Sequence, residues 1–88
     1  MAVLIRHRIA GMDASQYDEV SSRLVGKLKT QPGFVLHFSY EASGGGFTVS
    51  EIWETQEQHD QWFDENVKPN LPGDAEQEVI ELHSLHTP

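Results

Sequence analysis

The side chains of this sequence that could move protons or enclose an organic ligand are few. The chain has five histidines, two tryptophans and two tyrosines, and it has no cysteine. Histidine is the side chain whose charge changes near neutral pH, so it is the first candidate for a general base. Without cysteine there is neither a thiolate nucleophile nor a cysteine-bound zinc. The chemistry that these residue types favour is proton transfer in a site walled by aromatic rings.

His7 is the histidine whose position is most suggestive. It alternates with Val3, Ile5 and Ile9, so the four side chains share one face of a predicted strand. An imidazole on an apolar face is either a general base or a neutral core histidine bonded to backbone or water. We predict the first role and take His7 as the candidate catalytic residue.

The two tryptophans lie at the ends of the segment "SEIWETQEQHDQWF". Trp53 ends a predicted strand, on the same face as Glu51, and Trp62 shares the inner face of a predicted helix with His59 and Phe63. Both rings are either ordinary core or the walls of a pocket. We expect Glu51 to be a buried carboxylate with a raised pKa, or to lie at a barrel rim against an arginine of a second chain.

The remaining polar candidates are Tyr17 and His37. Tyr17 is predicted on a helix with its polar tip near the core, and His37 on a strand that lines either a cavity or a dimer interface. The spacing of His83 and His86 would suit a metal only on a helix, and this segment has the pattern of a strand and a tail. We therefore expect no metal. The sequence also has neither a phosphate-binding glycine loop nor a nucleotide fingerprint.

Composition describes one ordinary domain, residues 1–88. The chain is 38% hydrophobic and its formal net charge is -8, which disfavours nucleic acid and anionic membrane surfaces as partners. The start, "MAVLIRHRIAGM", has an apolar run too short for a signal peptide, and no stretch reaches the roughly 20 apolar residues of a membrane span. We expect a cytoplasmic protein.

The predicted elements form the order β-α-β-β-α-β. Capping-box pairs, Asp13 with Gln16 and Thr55 with Gln58, open the two helices, and "SGGG" is a hairpin turn. The order predicts an α+β, ferredoxin-like fold with a four-stranded antiparallel sheet and two helices on one face. The predicted strands are Ala2–Ile9, the segment from Phe34, the segment from Phe47 and Glu78–Leu85, and the second helix runs to about Val67.

Apolar side chains are predicted on both faces of the sheet. Phe34, Leu36, Phe38 and Tyr40 share one face of the second strand, while Val35 lies on the other. A sheet with one solvated face should instead alternate cleanly between apolar and polar residues. We therefore expect a homodimer in which a second copy covers the open face.

The element order, "QPGF" before the second strand and "SEIWETQEQHDQWF" resemble antibiotic biosynthesis monooxygenase-like domains of the dimeric α/β-barrel superfamily. The resemblance covers essentially the whole chain. It implies a homodimer whose sheets close into an α/β barrel, with a ligand cavity between sheet and helices in each subunit. Members include cofactor-free oxygenases of anthrone-type polyketides, haem degraders, polyketide cyclases and lactone isomerases.

The resemblance implies a cofactor-independent monooxygenase that acts on an aromatic or polyketide-type molecule. His7 occupies the strand position of an asparagine that binds substrate or oxygen in such proteins, and Pro72 stands where haem degraders carry a ligating histidine, which disfavours haem. The alternatives are a polyketide cyclase or isomerase with His7 as base, or a non-enzymatic dimer that binds a small ligand. The expected substrate-binding residues are Trp53, Trp62, His37, His59, Phe63, Glu51 and Tyr17.

Overall fold

The structure, a computed structural model, describes residues 2–88 and has the predicted β-α-β-β-α-β order. In these residues no helix is long and apolar enough to cross a membrane. The elements are β1 Val3–Ile9, α1 Ala14–Leu28, β2 Phe34–Glu41, β3 Phe47–Trp53, α2 Gln56–Trp62, a π-helical segment Phe63–Val67, a 3-10 turn Lys68–Asn70 and β4 Ala75–Glu81.

The four strands form one antiparallel sheet in the order β2-β3-β1-β4, so the ferredoxin-like prediction is confirmed. Leu28 of α1 and Trp62 of α2 pack with Val3, Ile5 and Trp53, which places both helices on the same face of the sheet. We call this the helix face and the other the open face. Side chains alternate along a strand, so all core-facing residues of β1 lie on the helix face.

The two helices begin at side-chain caps, as predicted, but in different ways. The Asp13 carboxylate accepts from the backbone N–H of Gln16 at 2.8 Å, and the Gln16 side chain accepts from the N–H of Asp13 at 3.0 Å. This is a complete capping box. At α2 the hydroxyl of Thr55 accepts from the N–H of Gln58 at 3.2 Å, but the Gln58 side chain accepts from that hydroxyl and not from the backbone. The second predicted capping box is therefore only half formed.

The second helix ends earlier than predicted. The α-helical pattern stops at Trp62, and the π-helical segment continues the chain to Val67 in a wider turn. Two side-chain amides donate hydrogen bonds to backbone carbonyls of this turn. Asn66 donates to the carbonyl of Trp62 at 3.2 Å, and Asn70 donates to the carbonyl of Asn66 at 2.8 Å. A π-turn changes which side chains face inward, and such turns are frequent at functional sites.

The last strand is shifted toward the N-terminus of its predicted range, Glu78–Leu85. It runs antiparallel to β1 from the pair Ile9–Ala75 to the pair Val3–Glu81, so the length of β1 determines where it starts and stops. His83 lies beyond the strand and is exposed. The predicted range, which placed His83 inside the last strand, is therefore wrong at its C-terminal end.

A β-bulge in β2 changes which side chains share a face. Phe34 pairs with Trp53 and Leu36 pairs with Ile52, so the ladder passes over Val35. Phe34 was predicted on the face of Leu36, but it packs edge-on against Trp53 on the helix face, with ring centroids 5.5 Å apart. The same register places His37 opposite Glu51 on the helix face.

The open face keeps an apolar surface. Its larger side chains are only half covered: Phe38 is 43% exposed, Tyr40 46% and Ile80 37%. On the same face, Arg6 forms an exposed ion pair with Glu78 at 3.3 Å. The sheet therefore has an apolar surface on each side, as the sequence predicts, and one of these surfaces is uncovered in the single chain.

Candidate active site

A cavity lies between α1 and the sheet. Its volume is about 70 Å³, and it is open to solvent at one side. Its walls are mostly apolar, and the polar side chains that border it include Tyr17, His37 and Glu51. The lining residues are Ile9, Met12, Tyr17, Val20, Ser21, Leu24, Val25, Leu28, His37, Val49, Glu51, Trp62, Val67 and Leu71.

Four side chains at the polar end of this cavity form one hydrogen-bonded series. One oxygen of Glu51 accepts from the indole N–H of Trp53 at 2.9 Å. The other lies 2.6 Å from Nδ1 of His37, and Nε2 of His37 lies 2.5 Å from the hydroxyl of Tyr17. We call Tyr17, His37, Glu51 and Trp53 together the Glu51 chain. It runs from a buried indole to a hydroxyl on the cavity wall.

Local structure explains why these four residues meet. Glu51 and Trp53 are two residues apart on β3 and point the same way, and the β2–β3 register places His37 directly across from Glu51. The ring of Tyr17 stacks on Phe47, with centroids 4.7 Å apart. This stacking holds the Tyr17 hydroxyl above the strand pair, where His37 can reach it.

Glu51 is ionised in this site. Burial by itself would raise the pKa of Glu51, but hydrogen bonds from His37 and Trp53, with the charge of His37 and His59, hold the pKa below its ordinary value of 4.5. The expectation of a raised pKa is therefore wrong, because it counted the burial and not the two donors. The expectation that Glu51 lies at a barrel rim against Arg6 or Arg8 of a second chain is also wrong, since Glu51 is only 5% exposed and lies on the helix face.

An ionised Glu51 determines where the His37 proton lies. A carboxylate only accepts hydrogen bonds, so Nδ1 of His37 carries the hydrogen and donates it to Glu51. In the neutral ring Nε2 is then bare and accepts from the Tyr17 hydroxyl. This is the arrangement of an acid–base triad, in which a carboxylate orients a histidine that in turn faces a hydroxyl.

His7 does not border this cavity. It is 4% exposed, its Nε2 lies 3.0 Å from the side-chain oxygen of Gln77, and its ring stacks on Phe63 at 4.3 Å and on His59 at 5.1 Å. It borders a second, polar groove that also includes Asp60, Asp64, Lys68 and Asp74. The expectation that His7 faces the same space as Trp62 is wrong, because His7 pairs with Gln77 on the edge strand β4, beside Phe63 of the π-helical segment.

The groove histidines are buried and hydrogen-bonded. Burial lowers the pKa of His7 below its ordinary value of 6.5. The hydrogen bond that His7 donates to the Gln77 oxygen opposes this lowering, and the charge of His59 adds to it. His59 is 1% exposed and its Nδ1 bonds to Asp60 at 2.9 Å. Within residues 2–88 no three histidine, aspartate or glutamate side chains are grouped so that they could hold a metal ion.

The predicted substrate-binding set is divided by the structure. Tyr17, His37, Glu51 and Trp62 border the cavity. His59 and Phe63 pack against His7 at the groove instead. Trp53 is fully buried, and its indole N–H donates to the Glu51 oxygen that does not contact His37.

Sequence reasoning missed Gln77 and the apolar wall that α1 contributes. Gln77 was missed because the last strand was predicted to begin one residue after it, although Gln77 alternates with Ala75 and Val79 in the sequence. Val20 and Leu24 lie at helical spacing with Tyr17 and Leu28 in the sequence, which predicts that they face inward but not that they line a cavity. The spacing of apolar residues shows which face is inward and does not show whether that face is completely filled.

Comparison with known proteins identifies the fold. No protein-family model and no curated protein matches the chain. Among solved structures it is similar to SnoaB, a cofactor-independent oxygenase from Streptomyces nogalater, at 13% identity over 96% of this chain and 94% of that one, with a TM-score of 0.67. A candidate antibiotic biosynthesis monooxygenase from Caulobacter crescentus has 14% identity over 94% and 91%, with a TM-score of 0.70.

A heme-degrading protein from Mycobacterium tuberculosis is also similar, at 18% identity over 99% of this chain and 100% of that one, with a TM-score of 0.64. At these identities the similarity shows the fold and not the reaction. The resemblance to antibiotic biosynthesis monooxygenase-like domains is confirmed at the level of the fold.

Buried His7 gives a prediction about stability and pH. Because its pKa is lowered in the folded chain, the unfolded chain binds the proton more readily. The contribution of neutral His7 is therefore fully present above pH 6.5 and is lost as the pH falls through the range below it. We expect the stability of wild type to fall as the pH drops below about 6.5, by no more than about 1.4 kcal/mol per pH unit for this one group.

Urea unfolding across this pH range measures the effect. His7→Gln removes the titrating group, so its free energy of unfolding should fall less steeply toward acid than that of wild type. His86→Gln, in the exposed tail, is the control and should keep the wild-type slope. Equal slopes for His7→Gln and wild type would contradict the assignment of a lowered pKa to His7.

Proposed function

We propose that this chain, which has the fold of antibiotic biosynthesis monooxygenase-like proteins, is a cofactor-independent oxygenase of an aromatic or polyketide-type small molecule. The reaction takes place in the cavity between α1 and the sheet. The observation that carries the proposal is a mostly apolar cavity with one polar end, where Tyr17 and His37 meet the ionised Glu51. SnoaB, which shares the fold, is a cofactor-independent oxygenase.

The reaction that fits this site converts a methylene flanked by aromatic rings to a ketone. A base removes one C–H proton and leaves the electron pair on carbon, spread over the rings. The carbanion then reduces O₂ and forms a C–O bond, and the peroxide loses water to give the carbonyl, so R₂CH₂ and O₂ become R₂C=O and H₂O. The substrate supplies the electrons, so the protein has only to bind, orient and stabilise charge.

The walls of the cavity suit a hydrophobic organic substrate. Val20, Leu24 and Trp62 present apolar surface, which favours a flat hydrophobic substrate and excludes water from a carbanion.

Oxygen uptake with anthrone as the probe tests the proposal. We expect the purified protein to consume one O₂ for each anthrone converted to anthraquinone. Val20→Phe narrows the cavity and should lower turnover about tenfold or more, whereas Asp18→Phe, an exposed position of the same helix, should not.

The other outcomes identify the alternatives. Proton exchange or rearrangement of the probe without O₂ uptake would overturn the oxygenase and favour a cyclase or isomerase, which also begins with removal of a proton. Binding of the probe with no conversion would contradict an enzyme and favour a ligand-binding domain.

We also propose that the working form is a homodimer in which two open faces pack together. Leu36, Phe38, Tyr40 and Ile80 form an apolar surface on this side of the sheet, and the hydroxyl of Ser50 on the same face is buried with no partner among residues 2–88. A second copy is the natural cover because the same surface on both chains can pack about a twofold axis. The resemblance noted above implies the same arrangement.

Sedimentation at micromolar protein concentration measures the mass of the assembly. Wild type should have twice the mass of one chain, and Phe38→Asp should shift it to a monomer, because a charge would be buried in the interface. Leu85→Asp is the control, since Leu85 is similarly exposed, at 38%, but lies outside the sheet. A monomeric wild type would contradict the dimer.

A further inference from the structure

We propose that Tyr17 is the catalytic base that takes the proton of the substrate, with His37 receiving the tyrosine proton and Glu51 and Trp53 as positioning residues. This inference rests on the proposed function for the substrate class, but not for the oxygen step. It assigns one role to each member of the Glu51 chain.

Tyr17 is identified as the base because the other polar atoms of the Glu51 chain are already hydrogen-bonded to one another. Both oxygens of Glu51 already accept hydrogen bonds, and its lowered pKa makes it a weak base. Both ring nitrogens of His37 are also engaged, Nδ1 with Glu51 and Nε2 with Tyr17. The Tyr17 hydroxyl is the end of the chain at the cavity wall, and its oxygen can accept a proton from a substrate while its own hydrogen points to His37.

Charge in the Glu51 chain favours this transfer. When the tyrosine proton moves to Nε2, His37 becomes an imidazolium with its other N–H on the ionised Glu51, 2.6 Å away. An adjacent carboxylate stabilises the positive ring, as in other histidine triads. The Trp53 indole holds the second oxygen of Glu51 at 2.9 Å, so the carboxylate cannot turn away from His37 without losing that bond.

The proton step balances without any oxidant. The substrate C–H bond breaks and its electron pair stays on carbon, the proton goes to the Tyr17 oxygen, and the original Tyr17 proton goes to Nε2 of His37. The products are a substrate carbanion, a neutral tyrosine and an imidazolium. Oxygen enters only afterwards, and the proton held on His37 is then available for the water that leaves.

The base defines the class of substrate. The phenolate that forms as the tyrosine proton moves to His37 is a base strong enough for an activated carbon acid or a phenol, and not for an ordinary alkane C–H. Apolar walls such as Leu24 and Met12 require that the rest of the molecule be hydrophobic. A methylene between two aromatic rings and opposite a ketone meets both requirements, and anthrone is the simplest such probe.

Hydrogen–deuterium exchange under argon isolates the proton step. The methylene signal of anthrone in heavy water is followed by NMR with each variant. Wild type should accelerate exchange, and Tyr17→Phe should lower the rate by about 100-fold or more, the usual loss when a general base is removed. His37→Gln should have a similar effect, whereas His83→Gln, at an exposed histidine beyond β4, should exchange like wild type.

The pH profile separates positioning from structure. Glu51→Gln removes the charge that stabilises the imidazolium, so His37 should become neutral at lower pH: the acid limb of the exchange profile should move to lower pH, and the maximum rate should fall. Replacing tyrosine by 3-fluorotyrosine keeps every contact but lowers the phenol pKa, and the profile should then move to lower pH. This second measurement decides the question if Tyr17→Phe does not fold, which its thermal melt reports.

Failures of the two proposals are distinguishable. Exchange that depends on Tyr17 but is not followed by O₂ uptake would overturn the oxygenase and leave Tyr17 as the base. Wild-type exchange by folded Tyr17→Phe, or a profile unmoved by 3-fluorotyrosine, would overturn the role of Tyr17. Wild-type protein that neither exchanges the probe nor takes up O₂ would contradict both.

Discussion

A buried, ionised carboxylate is the constraint on which the cavity depends. Taking a lone carboxylate out of water is strongly unfavourable, so Glu51 can lie at 5% exposure only if donors surround it. His37 and Trp53 supply those donors, and in doing so each is fixed in orientation. Removing either donor leaves an unsatisfied buried charge, which makes the Glu51 chain a unit and not a sum of separate contacts.

This interaction depends in turn on the pairing of β2 with β3. The β-bulge shifts the ladder between Phe34 and Leu36, so that Phe34 packs on Trp53 while His37 remains opposite Glu51. Side chains two positions apart on β3 then supply the carboxylate and the indole. The helix side is positioned by the Asp13 cap, which starts α1 one turn before Tyr17. A few local features thus bring distant parts of the sequence to one end of the cavity.

The order of elements, the helix starts and the inward tryptophans follow from the sequence because alternation and capping are local signals. The pKa of Glu51 could not be predicted, since its direction depends on which side chains donate to it across the sheet. The bulge also lacks a strong local signal, and without it Phe34 is assigned to the wrong face. His7 shows the same limit: its strand face was predicted correctly, but its neighbours on β4 and in the π-helical segment place it at the groove.

The state of His37 is the most direct test of this account. In ¹⁵N-resolved NMR of the imidazole at neutral pH, with the signal assigned by its loss in His37→Gln, we expect a protonated Nδ1 and a bare Nε2. That result requires an ionised Glu51 beside Nδ1 and leaves Nε2 free to accept from Tyr17. A ring with its proton on Nε2 and a bare Nδ1 would contradict the account, because Glu51 would then have to be protonated and Tyr17 would have no acceptor for its proton.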